Sequence, residues 1–150
     1  MLGRALKSMP DRANDITKAH YEMLAEWRYA LRQFLRFSES AARAAGLTPQ
    51  QHQAMLVIKG FPGRDRITIG ELAERLQIRH HSAVGLADRL VRDKYARRVP
   101  DRTDRRQVRL ALTTRGEAVL ATLSATHREQ LRRIGPQINR LLESLRGGNP

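Results

Sequence analysis

The sequence contains no cysteine among its 150 residues. Disulfide bonds, thiolate zinc sites, iron–sulfur clusters and cysteine-based redox sensing are therefore excluded. Aromatic residues make up only 5% of the chain, and no apolar run approaches the roughly 20 residues that cross a bilayer. The first ten residues hold no apolar stretch long enough for a secretory signal. These absences predict a cytoplasmic protein that does not enter a membrane.

Acidic residues are also scarce relative to basic ones. The chain has 28 Lys+Arg against 15 Asp+Glu, a net charge of +13 at pH 7. Such an excess costs self-repulsion in the compact state and is typical of proteins with a polyanionic partner. Nucleic acid is the first candidate, and an anionic membrane surface is the second. The 41% hydrophobic content is enough for one core, so we expect a single domain over residues 1–150.

Helical spacing of apolar residues dominates both ends of the chain. It predicts a helix over residues 14–45, which Gly46 ends, and a second helix that Thr48-Pro49 opens. A capping box at Thr114–Glu117 is expected to open a long helix. The pair Gly135-Pro136 is expected to break it, so that a separate terminal helix follows.

Two short helices separated by a tight turn are predicted in the middle of the chain. Thr68-Ile69-Gly70-Glu71 is a capping box that starts a helix over Ile69–Leu76. A second helical pattern runs from His80 to Asp93. The order of these elements is that of a helix-turn-helix, whose second helix enters the major groove of DNA.

The hydrophobic period then changes to that of a β-hairpin. Ala96–Val99 is predicted as a short strand ended by Pro100. In the returning strand, we expect Val108, Leu110 and Leu112 to face inward and Gln107, Arg109 and Ala111 to face outward. A polar loop, Asp101–Arg106, joins the two strands. The fold class is therefore mainly α with a small β-hairpin wing, a winged helix-turn-helix.

Candidate DNA contacts lie on the outward face of the second short helix. Arginine pairs with guanine O6 and N7, serine contacts either base type, and a helix N-terminus attracts phosphate. A solvated helix start without a ligand is the alternative interpretation. The candidate residues are Arg79, His80, His81, Ser82, Gly85 and Arg89.

The predicted hairpin carries the densest charge. Residues 89–109 hold nine basic and three acidic residues, a net charge of +6. A hairpin tipped with Arg102, Arg105 and Arg106 has the width and charge to enter a minor groove, whereas a solvated loop is the alternative. We expect Asp104 to fix the side chain of Arg106 by a paired hydrogen bond.

The motif Asp104-Arg105-Arg106, followed by Leu112-Thr113, resembles the DxR…LT signature of the MarR family of winged-helix regulators. The resemblance extends residue by residue over Leu47–Gly116 and covers the flanking helices by pattern only. It implies a homodimer in which the helices of residues 14–45 and 114–146 form the dimer interface and residues 47–113 form the DNA-binding core. It also implies a ligand-responsive repressor that binds palindromic promoter DNA, with Arg106 as the minor-groove arginine and Asp104 as its orienting partner.

Three residues depart from the family pattern. Lys94 stands where glycine is usual, and a left-handed backbone there would cost lysine roughly 1–2 kcal/mol. Arg79 replaces a Ser or Thr cap, which loses about 1 kcal/mol of capping but adds a cation. Gly85 lacks a side chain where one is common, so we expect little base readout at that position.

Other functions find little support in the sequence. Ser82, His80 and His81 lie on an exposed helix start, not in a cleft, so we expect no enzyme activity. The five histidines lack the spacing that places two metal ligands on one helix face, and no cofactor is expected. A sequence-indifferent architectural nucleic-acid binder remains the alternative to a regulator, and peripheral membrane binding is disfavoured because the charge is concentrated on the wing.

A small-molecule pocket is predicted from a few aromatic and polar residues of the first two helices. The resemblance implies a small aromatic or phenolic effector. Packing in the core or in a dimer interface is the alternative role for these side chains. The candidate wall residues are Tyr21, Trp27, Phe34, His52 and Met55.

Overall fold

A computed structural model describes residues 16–146 of the chain. These residues form two compact units, one of residues 16–35 with 131–146 and the other of residues 36–130. The helices are α1 (Lys18–Ala44), α2 (Pro49–Lys59), α3 (Ile69–Leu76), α4 (His80–Arg92) and α5 (Thr114–Arg146), and the strands are β1 (Arg66–Ile67), β2 (Ala96–Pro100) and β3 (Val108–Leu112).

The first predicted helix is present as α1. Its expected first residues, 14 and 15, lie outside the described part of the chain. At its end the Leu47 amide donates to the Ala42 carbonyl and the Gly46 amide to the Arg43 carbonyl, both at 3.0 Å, and Gly46 has φ +82°. This pattern is a Schellman motif, which glycine favours because its backbone adopts positive φ without a steric penalty.

The short helix α3 has the bounds that its capping box predicts. The Thr68 hydroxyl accepts from the Glu71 amide at 3.2 Å, and a Glu71 carboxylate oxygen accepts from the Thr68 amide at 2.8 Å. At the other end, Gln77 adopts a left-handed conformation with φ 54°. The turn between α3 and α4 is therefore a Schellman turn built on a non-glycine residue.

The wing belongs to a three-stranded antiparallel sheet with the order β1-β3-β2. Strand β1 was not predicted because its two residues are too few to show an alternating pattern. In β3 the predicted alternation of inward and outward side chains fails at Val108, which is 52% exposed, and at Ala111, which is buried. Ala111 is covered because β3 is the central strand and pairs there with both Arg66 and Arg97.

Helix α5 runs unbroken from Thr114 to Arg146 and contains Pro136, so the predicted break at Gly135-Pro136 is wrong. A proline removes one backbone hydrogen bond, but the following turns restore the ladder and the helix continues. The predicted capping box at Thr114 is also wrong. Thr113 caps the helix, because its hydroxyl accepts from the Gly116 amide at 3.1 Å.

The core of residues 36–130 holds apolar side chains from α2, α3, α4 and the sheet. Helix α5 lies close to the segment that follows α4. A Cβ at Gly116 would lie only 2.1 Å from the carbonyl oxygen of Tyr95. Only glycine allows that approach. The largest fully buried side chains are Met55, Ile58, Ile67, Leu72, Leu86, Leu90 and Leu110.

Candidate nucleic-acid interface

Helix α4 buries one face and exposes the other. Its apolar stripe is Ala83, Leu86, Ala87 and Leu90, all at most 1% exposed. The opposite face includes the predicted contacts of the first turn, which are exposed together. These exposed residues are Arg79, His80, His81 and Ser82.

The N-terminus of α4 carries no side-chain cap. Arg79 occupies the cap position in an extended conformation and makes no capping hydrogen bond. The first amides of the helix therefore keep their hydrogen-bonding capacity and the positive end of the helix dipole. Both features favour an anion such as a DNA phosphate.

The second turn of α4 presents Arg89 and the half-buried Gly85. A Cβ at Gly85 would lie 3.8 Å from Arg89 Nη1, so the guanidinium of Arg89 extends back along the helix over this glycine.

Val84, Asp88 and Arg92 are exposed residues of α4 that were not among the predicted contacts. Val84 is 37% exposed, and its spacing of four residues after His80 could have identified it. Asp88 forms an ion pair with Arg98 of β2. This pair neutralises the acidic side chain of an otherwise basic face and connects α4 to the hairpin.

The loop of the wing is exposed from Arg102 to Gln107. Within the described chain, Arg102, Arg105 and Arg106 form no ion pair, so their guanidiniums are available to a ligand. Asp104 accepts from the backbone amide of Arg106 at 3.0 Å. We expected a bond to the Arg106 guanidinium; Asp104 instead shapes the backbone of the turn, as aspartate often does two residues before an amide.

Asp101 at the base of the wing is 8% exposed and was not predicted to be a functional residue. Its carboxylate accepts from Arg109 Nε at 2.7 Å and from the Thr103 amide at 3.0 Å. The bond from the Thr103 amide is the main reason why the pKa of Asp101 lies below its ordinary value, and it outweighs burial, which acts the other way.

Arg109 also approaches Glu71, with 3.5 Å between Nη1 and Oε2, and Glu71 forms a further ion pair with Arg64. Burial alone would raise the pKa of Glu71. Hydrogen bonds from Arg64 and the Thr68 amide outweigh that effect, so its pKa lies below its ordinary value. The inward position of Arg109 contradicts its predicted outward orientation.

The end of α4 has the left-handed backbone considered for Lys94, whose φ is 64°. The Tyr95 amide donates to the Leu90 carbonyl at 2.9 Å, and the Lys94 amide to the Val91 carbonyl at 3.1 Å. These bonds form the Schellman turn that glycine usually occupies. The helix exit is therefore retained, with lysine in a conformation that costs it conformational energy.

The residues predicted for an effector pocket differ in exposure. Tyr21 of α1 is 62% exposed, and Trp27 and Phe34 are half-buried. His52 and Met55 of α2 are 2% and 0% exposed, so both are core residues in the unit of residues 36–130. The ligand-binding role of this set stays a prediction.

His52 lies beside a second histidine. The ring centroids of His52 and His127 are 4.8 Å apart, and His127 Nε2 is 2.7 Å from the Ser38 hydroxyl. Burial and, to a smaller extent, the charge of His127 lower the pKa of His52. His52 is thus a neutral core histidine at neutral pH.

Residues 16–146 offer neither a cluster of metal-ligating side chains nor a membrane-spanning helix. No group of three or more histidine, aspartate or glutamate side chains there is arranged to hold a metal ion. None of the helices in the same range has the length and apolar character to span a bilayer.

The central part of the chain is similar in sequence to a known protein family. Residues 45–107 match the sequence model of the MarR family. The transcriptional activatory protein BadR of Rhodopseudomonas palustris is 31% identical over 84 residues, which are 56% of this chain and 48% of BadR. The chain thus spans about half the length of this curated relative.

Solved structures share the fold at low sequence identity. AbsC, a MarR family transcriptional regulator from Streptomyces coelicolor, aligns with a TM-score of 0.65 and 19% identity over 88% of this chain and 97% of its own. A mutant of MepR from S. aureus, solved bound to an oligodeoxyribonucleotide, aligns with a TM-score of 0.62 and 18% identity over 81% of this chain and 96% of its own. The architecture is that of winged helix-turn-helix regulators.

Proposed function

We propose that this chain is a sequence-specific DNA-binding regulator of the MarR family that acts in the cytoplasm; the match of residues 45–107 to the sequence model of that family supports the proposal. The observation that carries the proposal is the joint exposure of two basic elements, the first turn of α4 and the wing loop. Both elements lie in the compact unit of residues 36–130. The oligonucleotide-bound state of MepR, which shares the fold, supports the same function.

We assign base recognition in the major groove to α4. Arg79, His81 and Ser82 on its exposed first turn offer donors to base edges, and Arg89 adds a guanidinium in the next turn. The uncapped amides at Arg79 and His80 hold a phosphate, which sets the register of the helix. Gly85 has no side chain and therefore makes no side-chain contact with a base.

We assign the minor groove to the wing. The exposed guanidiniums of Arg102, Arg105 and Arg106 have the charge that a narrow minor groove attracts. Asp104 contributes by shaping the turn that carries Arg106. Arginine suits this role because its planar fork makes directed bonds that lysine does not.

A homodimer completes the proposed regulator. In the unit of residues 16–35 and 131–146, large apolar side chains are exposed, and a second copy would cover them. A two-fold dimer places two recognition helices about 10 base pairs apart, which requires palindromic DNA. The exposed apolar residues include Tyr21, Leu24, Tyr29, Leu131, Leu142 and Leu145.

We propose that DNA binding represses transcription and that a small aromatic or phenolic effector releases it. A dimer placed across promoter DNA blocks polymerase, which supports repression, whereas the activatory name of BadR favours the opposite sign. Transcription in vitro from a bound promoter decides the sign. Titration of the DNA complex with a panel of phenols and aromatic acids tests the effector.

Competition binding tests the central function. A duplex selected from a random pool by the purified protein competes with a duplex of the same composition in shuffled order, at physiological salt. A specific regulator prefers the selected duplex by about 10³-fold or more. Equal competition by both duplexes would contradict the proposal and favour a sequence-indifferent architectural protein.

A further inference from the structure

Four charged side chains of alternating sign connect the base of the wing to the start of α3. Asp101 follows β2, Arg109 lies in β3, Glu71 is in the first turn of α3, and Arg64 precedes β1. Arg109 Nε donates to Asp101 Oδ2 at 2.7 Å, and Arg109 Nη1 lies 3.5 Å from Glu71 Oε2. We call these four residues the wing clamp.

The wing clamp is sheltered, unlike the tip of the wing. The side chains of Asp101 and Arg109 are 8% and 18% exposed. Charges that are partly removed from water interact more strongly and are screened less by salt than exposed ones. The clamp is therefore able to hold the base of the hairpin at a fixed position, although the tip is surrounded by solvent.

Arg109 is the central member because its one guanidinium reaches two elements. Nε binds the carboxylate of the wing, and Nη1 faces the carboxylate of α3. Glu71 is itself fixed, since the same side chain caps α3 by accepting from the Thr68 amide. Helix α3 packs on α4, so the clamp relates the wing to the recognition helix through a rigid neighbour.

The tip has no such restraint of its own. Within the described residues, Arg102, Arg105 and Arg106 make no ion pair, and the bonds of the loop are local to Asp101, Asp104 and Gln107. The direction in which the tip points is thus set at its base. A wing of unchanged sequence but altered angle would miss the groove.

We propose that Arg109 is a positioning residue for DNA binding, which holds the wing against α3 so that the wing and α4 engage adjacent grooves together. The proposal rests on the proposed function and deepens it by naming the residue that coordinates its two contact elements. Arg109 itself does not contact the DNA in this arrangement. It acts through Asp101 and Glu71.

The matched variants are Arg109→Gln and Arg97→Gln. Both remove one positive charge from the hairpin, but Arg97 is exposed on β2 and belongs to no ion pair of the described chain.

The selected duplex is probed by hydroxyl radicals, which report the minor groove, and by methylation of guanine N7 in the major groove. Arg109→Gln is expected to lose the minor-groove protection of the wing while it keeps the major-groove protection, with affinity lower by about 10-fold or more. Arg97→Gln keeps both protections.

A measurement without DNA separates this proposal from the proposed function. The chain has no cysteine, so a single nitroxide label at Gln107→Cys reports the wing alone. In DNA-free protein, the label is expected to become more mobile with Arg109→Gln and not with Arg97→Gln. If the unsubstituted protein protects no specific site, the proposed function fails, but the mobility of the label still decides whether the clamp holds the wing.

Arg109→Lys distinguishes positioning from charge. Lysine keeps the charge but lacks the fork that meets two carboxylates, so it is expected to restore the footprint only in part. Complete rescue by lysine, or equal label mobility in Arg109→Gln and Arg97→Gln, would overturn the proposal. If Arg109→Gln does not fold by circular dichroism, Asp101→Asn removes the negative charge that pairs with Arg109 and is expected to give the same split between the two grooves.

Discussion

The recognition helix and the wing both expose arginines, but different forces hold them in place. Helix α4 rests on a stripe of apolar side chains that are at most 1% exposed. The wing loop, residues 102–107, has no apolar side chain of its own. Its base is held by ion pairs of Asp101 and Arg109 in addition to the buried apolar side chains of the strands. Apolar burial does not depend on the charge state of side chains, whereas ion pairs depend on charge state and on geometry. The two halves of the proposed interface should therefore respond differently to mutation and to pH.

The largest effect is expected from the buried side of α4. Leu90→Ala removes a fully buried side chain and should lower the free energy of unfolding by about 3 kcal/mol. Val84→Ala on the exposed side of the same helix should change it by no more than about 0.5 kcal/mol. Guanidinium chloride unfolding measures both. Equal costs for the two variants would show that the apolar stripe does not hold the helix.

The wing tip should show the opposite behaviour, with a loss of binding and little loss of stability. Arg106 is exposed, so Arg106→Ala should leave the unfolding midpoint unchanged. Its loss should weaken DNA binding by about 1–2 kcal/mol and reduce the slope of log K against log salt by roughly one. Anisotropy titrations at several salt concentrations measure this. An unchanged slope would mean that Arg106 does not contact a phosphate.

The turn that leads from α4 into the wing stores strain that a smaller residue would relieve. Lys94 has φ 64°, so Lys94→Gly should stabilise the protein by up to about 1 kcal/mol. Arg92→Gly, at the last residue of α4, should destabilise it by up to about 1 kcal/mol instead, because glycine has a low helix propensity. Chemical denaturation tests the opposite signs. A loss of stability in Lys94→Gly would contradict the assigned strain.

Mild acid should weaken the core before it weakens the wing clamp. The pKa of His52 is lowered from 6.5, so the unfolded chain binds the proton more readily and stability falls as the pH drops below about 6.5. The pKa values of Glu71 and Asp101 are also lowered. Their contributions are present above their ordinary pKa values and persist through this range.

Unfolding measured between pH 7 and 5 tests this difference. The stability of the unsubstituted protein should fall over that interval, and His52→Leu should flatten the dependence. The mobility of a label on the wing should stay constant. Parallel pH dependences of the two proteins would show that His52 does not cause the effect.

Local sequence signals predicted the start of a helix well where a capping motif marked it. Helix α3 matches its prediction because Thr68 and Glu71, three residues apart in the sequence, cap each other. The cap of α5 was misplaced by one residue, since Thr113 and Thr114 are equally suitable by type and only the contact with Gly116 distinguishes them. Pro136 was overrated as a helix breaker because the turns on both sides support the helix.

The wing clamp could not be predicted because its members are distant in the sequence. Glu71 and Arg109 are brought together by the sheet, and an arginine within an alternating strand is ordinarily assigned to the solvent face. Asp101 was counted only as an acidic residue of a basic loop. Composition and charge thus located the candidate interface, but the contacts that orient it required the three-dimensional arrangement.

The most direct test of the account is the selection of genomic fragments by the purified protein at physiological salt. The predicted result is a narrow set of sites that share an inverted repeat, with half-sites about 10 base pairs apart. Broad recovery of fragments without a shared motif would contradict it, because the exposed first turn of α4 would then read no bases.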